Sequence, residues 1–298
     1  MHAMTQDTDQ SRRAARLLEV LDLECIEQNL FLGANEVRGE FRLFGGQVLS
    51  QSLRAACLTV EGRSAHSLHG YFMRAGNAGR PVLYEVDRIR DGRSFATRRV
   101  VAIQSGEAIF SLDVSFQVDE AGFEHAHPMP NVPPPEELEG DIAVVSRLTG
   151  DDPHLSPMAG RPRPFELRSV FKPGSDEWAA NRHWNPVWIR FAGEVDPDDD
   201  PLARSLLAYA SDVGLVSTGV LPHVESISRA EVRMASLDHA LWFHRAVPIA
   251  DWLLVHKRTT MARGGRALIQ AEIFSRDGKL VASVSQEGLI RRRSAAPG

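Results

Sequence analysis

The same order of elements is written twice in this chain, and that repetition constrains the fold more than any single motif. In the first half, an amphipathic segment, SRRAARLLEVLDLECIEQNLFLG, is followed by FGGQVLSQSLRAACLTVEG. In the latter, Leu49, Leu53, Ala56, Cys57 and Val60 recur at helical spacing behind Gly45-Gly46. The texture then changes to strands: HSLHGYFMRAG, PVLYEVDRIRDG, FATRRVVAIQSG and EAIFSLDVSFQV, with RDG and QSGE as hairpin punctuation. The second half repeats the order. PLARSLLAYASDVGLV carries Leu202, Leu206, Ala210 and Val213 on one stripe, and AEVRMASLDHALWFHR, DWLLVHKRTTMARGG and RALIQAEIFSRDGKLVASVSQEGLIR follow as strands. Two short matches set a spacing. Ser67-Leu68 and Ser236-Leu237 lie 169 apart (236 − 67), and so do Gln117 and Gln286 (286 − 117). A period of that size across one strand set predicts two copies of one domain.

An α+β class follows, with one long helix laid across a curled antiparallel sheet in each copy, which is the hot-dog unit. Two units in tandem make a double hot-dog whose sheets can join edge to edge, covering an edge that would otherwise be open. The expected bounds are 11–120 for the first unit and 186–292 for the second. Residues 121–185, proline-rich in HAHPMPNVPPPEELEG and DDPHLSPMAGRPRPFE, read as a surface wrap with a short helix around 135–148. DPDDD at 196–200 is a solvated acidic turn suited to the positive end of the helix that follows.

Composition narrows the function classes. The 298 residues carry 43% hydrophobic side chains, ample for a core, and a net charge of −5 with pI near 6.1. No global basic field for nucleic acid or anionic membrane exists. Cys25 and Cys57, in helix-like segments, read as small buried thiols of a reducing compartment rather than a disulfide or metal site. No apolar run reaches the roughly 20 residues of a membrane span. The N-terminus lacks a secretory core and the C-terminus RRRSAAPG lacks a peroxisomal tripeptide, so a soluble cytoplasmic protein is expected.

One stretch, SVSQEG at 283–288, breaks the apolar pattern. Leu280, Ala282, Val284 and Gln286 share a strand face, so Gln286 points where Leu or Val normally goes, unless Ser285 bulges. Gln117 falls on the polar face of its own strand, opposite Phe110, Leu112, Val114 and Phe116. A buried amide without partners costs about 1–3 kcal/mol, so Gln286 needs company. Asp212, in the last turns of an apolar helix, is placed against its own helix dipole and needs an explanation too. Ser236 continues the parity of Val232 and Met234, whereas Asp238 and His239 face opposite sides and form no dyad by themselves. No histidine lies at a spacing that would activate Ser236, and no G-x-S-x-G elbow is present, which disfavours a covalent serine mechanism. Asp212, Ser236 and Gln286 instead suit holding a water toward a carbonyl, with Asp212 accepting its proton.

GGQVLSQSL, HSLHGYFMRAG, YEVDRIRDGRSFATRRVVAIQ, SLDVSFQ, AGFEH, YASD, LDHALWFHR, DWLL and LVASVSQEGLIR resemble the acyl-CoA thioesterase II family, in family order across roughly residues 17–291. The resemblance implies hydrolysis of fatty acyl-CoA to free acid and CoA by direct water attack, without metal or cofactor. The family's catalytic aspartate matches Asp212 and its glutamine Gln286. Its hydroxyl residue, commonly threonine, matches Ser236. It also implies a homodimer or homotetramer. Backbone N–H groups at Gly45-Gly46 are candidate oxyanion donors. Arg93, with Arg90, Arg98 and Arg99, or Lys257, Arg258 and Arg263, are candidates for the CoA phosphates. Two alternatives stand beside hydrolysis. A hot-dog hydratase would show a G-D-x-N-P-x-H stretch, and the nearest approach here, Asp238 to His244, lacks its glycine and proline. A non-catalytic acyl-CoA binding or sensing protein has no use for a buried carboxylate.

Overall fold

The computed structural model describes residues 2–36, 42–147, 162–172, 175–228 and 231–293. The first half contains α1 (His2–Leu21), β1 (Glu24–Glu27), β2 (Leu30–Gly33), α2 (Gly45–Cys57), β3 (Ser64–Phe72), β4 (Val82–Asp91), β5 (Phe95–Gln104) and β6 (Glu107–Gln117). Then come α3 (Asp141–Arg147), β7 (Phe165–Ser169), α4 (Asp176–Ala180), β8 (Trp184–Phe191), α5 (Asp200–Ser211) and α6 (Leu215–Thr218). The chain closes with β9 (Val232–Ser236), β10 (Asp238–Phe243), β11 (Leu253–Arg263), β12 (Arg266–Ser275) and β13 (Leu280–Arg292).

Among the described residues all thirteen strands belong to one antiparallel sheet, and its order, read outward from the centre, is the same in both halves: β3-β6-β5-β4-β2 and β10-β13-β12-β11-β8. β3 and β10 meet at the centre, with Leu68 opposite Leu241, so each half covers an edge of the other. Alternation along the strands sends one face inward; in β6 these are Phe110, Leu112, Val114 and Phe116. α2 and α5 pack on that face and on each other, burying Leu49, Leu53, Leu206 and Leu207. Fully burying such a side chain contributes about 1.5–3 kcal/mol.

The repeat is carried by the irregularities of the strands. Ile89 in β4 and Thr260 in β11 are each skipped by the register, 171 apart (260 − 89). His66 in β3 is skipped likewise. Its counterpart is Leu237, between β9 and β10. Ser236 faces Gly288 and Ala240 faces Ser285, so four steps on one strand match three on the other. Ile109 in β6 and Val281 in β13 are 172 apart (281 − 109), because the Ser105-Gly106 hairpin is shorter than its counterpart around Asp277-Gly278. The spacing of 169 read from the sequence is therefore corrected to 171–172. Gln117 is not the counterpart of Gln286; Val114 is.

Other expectations need adjustment. Cys25 lies in β1 and is exposed, while Cys57 ends α2. The expected helix around 135–148 is a 3-10 turn at Pro135–Glu137 followed by α3. The wrap also contains β7 and α4, and β8 begins inside it at Trp184. Its extended part covers the outer face of the second half, with Met129, Val132 and Leu138 on Trp188, Trp252, Leu254 and Phe274. The Trp188 indole donates to the Pro133 carbonyl at 2.9 Å. Most of DDPHLSPMAGRPRPFE and the last five residues of the C-terminal stretch lie outside the described residues. Asp199 caps α5 as the acidic turn suggested, accepting from the Leu202 N–H at 2.9 Å. No described helix is long and apolar enough to cross a membrane.

Candidate active site

Helix α5 ends where Gly214 takes a left-handed conformation, φ 67°, leaving Asp212 as its C-cap. Read alone, that position is unfavourable for a carboxylate. The second helix resolves it. α2 begins behind Phe44, which supplies no side-chain cap, and the Gly46 N–H donates to the Asp212 carboxylate. Asp212 thus sits at the positive end of α2, a placement worth about 0.3–2 kcal/mol to an anion. Only glycine permits the approach. A Cβ on Gly45 would stand 2.8 Å from Asp212 Oδ2, and one on Gly46 would stand 2.6 Å from the Tyr209 carbonyl oxygen.

The three residues singled out in the sequence converge on one atom. Asp212 Oδ1 accepts from Gln286 Nε2 at 3.1 Å and from Ser236 Oγ at 3.2 Å. Gln286 is opposite Ile269 and Ser285 opposite Gln270, so no bulge at Ser285 disturbs the parity, and Gln286 is fully buried. Ser236 is only partly buried, which makes it the side from which the trio meets solvent. Burial raises the Asp212 carboxyl from its ordinary 3.8 to about 6; the bonds from Gln286, Ser236 and Gly46 act against that rise. A carboxylate so tuned is a better base near neutral pH than an ordinary one.

His239 is the member that sequence reasoning missed. It is fully buried, with Nδ1 2.9 Å from Gln286 Oε1 and Nε2 2.9 Å from Ser211 Oγ. The skipped Leu237 is the reason. Across that bulge Ser236 and His239 both face inward, although they differ by an odd number of residues. Ser211 and His239 have the spacing of a nucleophile and its base, but Ser211 is 1% exposed inside a helix and also reaches the Ala208 carbonyl at 2.8 Å. Burial further lowers the imidazole to about 4, so it is a poor base.

The remaining candidates separate. The Gly46 amide is directed at Asp212, which argues for anchoring the carboxylate over the expected oxyanion role. Arg93 lies in the β4–β5 hairpin, beside the Ser64 end of β3, where its carbonyl accepts from Arg63. Asp212 lies at the Phe72 end, roughly 25 Å away at about 3.3 Å per residue, so Arg93 does not reach the trio within this chain. Arg98 is buried, bonded to Thr59 and paired with Asp91, and Arg99 pairs with Asp113. Lys257 is buried too and donates to the Val213 carbonyl at 3.4 Å, beside Asp212; burial lowers it to about 8.

Residues 36–117 match the family profile described as acyl-CoA thioesterase N-terminal domain, and residues 130–290 match acyl-CoA thioesterase C-terminal domain. The chain is 36% identical to acyl-CoA thioesterase 2 of Haemophilus influenzae over 92% of this chain and 96% of that one. It is 37% identical to mouse acyl-coenzyme A thioesterase 8 over 94% and 90%. Among solved structures it is similar to acyl-CoA thioesterase II TesB2 of Mycobacterium marinum, with TM-score 0.76, 38% identity and coverage of 93% and 99%. A hot-dog protein of unknown function from Alicyclobacillus acidocaldarius superposes with TM-score 0.73 at 20% identity over 93% and 98%, which speaks to the hot-dog fold alone.

Proposed function

The chain belongs to the acyl-CoA thioesterase II family, and from that premise we propose that it hydrolyses acyl-CoA thioesters at the site where Asp212, Gln286 and Ser236 meet. It is a thioester hydrolase of the hot-dog fold. The observation that carries the site assignment is the single Asp212 oxygen that takes hydrogen bonds from both Gln286 and Ser236 at the N-terminus of α2.

In this reading a water held by Asp212 and Gln286 loses a proton to Asp212 as its oxygen bonds to the thioester carbonyl carbon. The tetrahedral intermediate collapses, the C–S bond breaks, and the CoA thiolate takes the proton back from Asp212. The free acid and CoA leave. Ser236 and Gln286 fix the carboxylate and the water relative to the carbonyl. No step calls for a metal or cofactor. The proposal includes two tandem hot-dog units, 11–120 and 186–292 joined by 121–185, with β8 as the first strand of the second. It also includes a homodimer or homotetramer, as the family resemblance implies.

The test is thiol release from acyl-CoAs of short to very long chain by the wild type and Asp212→Asn. The wild type turns over part of the series, and the variant loses about 10²-fold or more in kcat. Tight acyl-CoA binding with no thiol release by the wild type would favour the sensing alternative.

A further inference from the structure

We propose that His239 is a positioning residue, whose Nδ1–H holds the Gln286 amide with its NH2 end turned to Asp212. This inference rests on the reading of Asp212 and Gln286 as the water-holding pair. The two ends of a glutamine amide have nearly the same shape, so packing alone does not choose between them. With the amide as found, Oε1 faces His239 Nδ1 at 2.9 Å and Nε2 faces Asp212 at 3.1 Å. Oε1 can only accept, so Nδ1 must carry a proton.

Burial keeps the ring neutral, with one N–H. Nε2 then presents a lone pair, and the Ser211 hydroxyl, 2.9 Å away, is its donor. That hydroxyl has one proton and a second acceptor, the Ala208 carbonyl at 2.8 Å. The opposite arrangement is therefore conceivable chemically: proton on Nε2, Ser211 accepting from it and donating to Ala208, and Gln286 NH2 donating to Nδ1. It turns Gln286 Oε1 toward Asp212, which is tolerable only when Asp212 is protonated. The His239 tautomer, the Gln286 orientation and the Asp212 charge form one coupled set. An Nδ1–H at His239 favours the ionised carboxylate that accepts a proton from water.

The first half supports this by contrast. The counterparts of His239 and Gln286 are Leu68 and Val114, paired across β3 and β6, where no amide needs orienting. Other titratable groups near Asp212 are few. Lys257 on β11 bonds the Val213 carbonyl, and Glu36 accepts from Tyr209 on α5 at 2.8 Å. Asp238 and Glu287 lie on the opposite parity of β10 and β13, where Asp238 accepts from the Glu287 N–H and Glu287 pairs with Arg266.

The experiment compares His239→Asn with His239→Gln in thiol-release profiles of kcat and kcat/KM from pH 5 to 9, with thermal melts alongside. Asparagine can place an N–H where Nδ1 stood, whereas glutamine places its polar end near Nε2. His239→Asn should keep kcat within about threefold and leave the acid limb in place. His239→Gln should lower kcat about tenfold or more, with KM little changed, and move the acid limb upward by about one pH unit. Ser211→Ala, a smaller change, should move the limb the same way by less. Identical behaviour of the two His239 variants, or an unmoved limb in both His239→Gln and Ser211→Ala, overturns the inference. Gln286→Ala separates the two layers. If it loses about 10²-fold in kcat and the His239 variants are alike, only the positioning role fails; if it retains wild-type turnover, the parent reading fails with it. In the Gln286→Ala background His239→Gln should shift nothing further, and a further shift overturns the role.

Discussion

The two halves of the sheet offer the same frame and use it differently. At one end, the C-cap of α5 is Asp212, and it meets an uncapped, glycine-led α2. At the other, the C-cap of α2 is Leu58, half exposed, and α5 is already capped by Asp199 with Asp200 and Pro201 in its first turn. Ser236, His239 and Gln286 have as counterparts Ala65, Leu68 and Val114, an apolar set in the same register. Every polar member of the candidate site is thus replaced at the equivalent place. The lesson is that the repeat supplies two scaffolds, whereas the proposed chemistry needs a carboxylate, a vacant helix N-terminus and a buried amide together. Only the α5-to-α2 end has all three.

The largest effect that would sharpen this contrast concerns the charge of Asp212. Burial raises its folded pKa to about 6, above its ordinary value. The folded protein therefore holds a proton between pH 4 and 6 that the unfolded chain has lost. The stabilisation is fully present below about pH 4 and is lost as pH rises through 6, a span of about 3 kcal/mol by the two pKa values. His239, lowered to about 4, acts in the opposite sense, its contribution being present above about 6.5 and lost on acidification. The comparison must therefore be wild type minus Asp212→Asn. That difference, followed by chemical denaturation from pH 4 to 8, should grow in favour of the variant as pH rises; a flat difference would mean the carboxylate is not held under that strain.

A smaller effect comes from writing the second half's amide into the first. Val114→Gln puts an amide where Leu68 and the apolar core give it no partner, and should destabilise by about 1–3 kcal/mol. It should add no thiol-release activity to a Gln286→Ala background. Recovered turnover there would show that the first half needs only the amide to become a site, contrary to the contrast drawn above.

Much of this was legible in the sequence, for identifiable reasons. Strand parity put Gln286 inward and Gln117 outward, and both hold: Gln117 reaches out to Glu120 at 3.3 Å. The misfit of Asp212 at the end of its own helix was visible, though its partner, the start of α2, lies more than 150 residues away and emerges only on folding. Parity failed at Leu237, because one skipped residue brings His239 to the face of Ser236. The spacing of 169 misled for another reason: its two short textual matches lie two and three residues out of the structural register, and the hairpin one residue longer in the second half accounts only for the step from 171 to 172. β7 was hidden in the proline-rich wrap, and β8 straddles its end, where apolar alternation is short and interrupted by Pro186. Arg93 was proposed from charge, and charge carries no information about which end of a strand a hairpin occupies; it lies at the Ser64 end of β3, away from the trio.

The most direct test of the central claim is steady-state CoA release by Gln286→Val, which gives the second half its first-half counterpart, beside Gln117→Ala as the comparator. The account predicts that Gln286→Val, with a melt near that of the wild type, loses about 10²-fold or more in kcat while Gln117→Ala stays within about twofold. Turnover by Gln286→Val within a few-fold of the wild type, or a matching loss in Gln117→Ala, would contradict it.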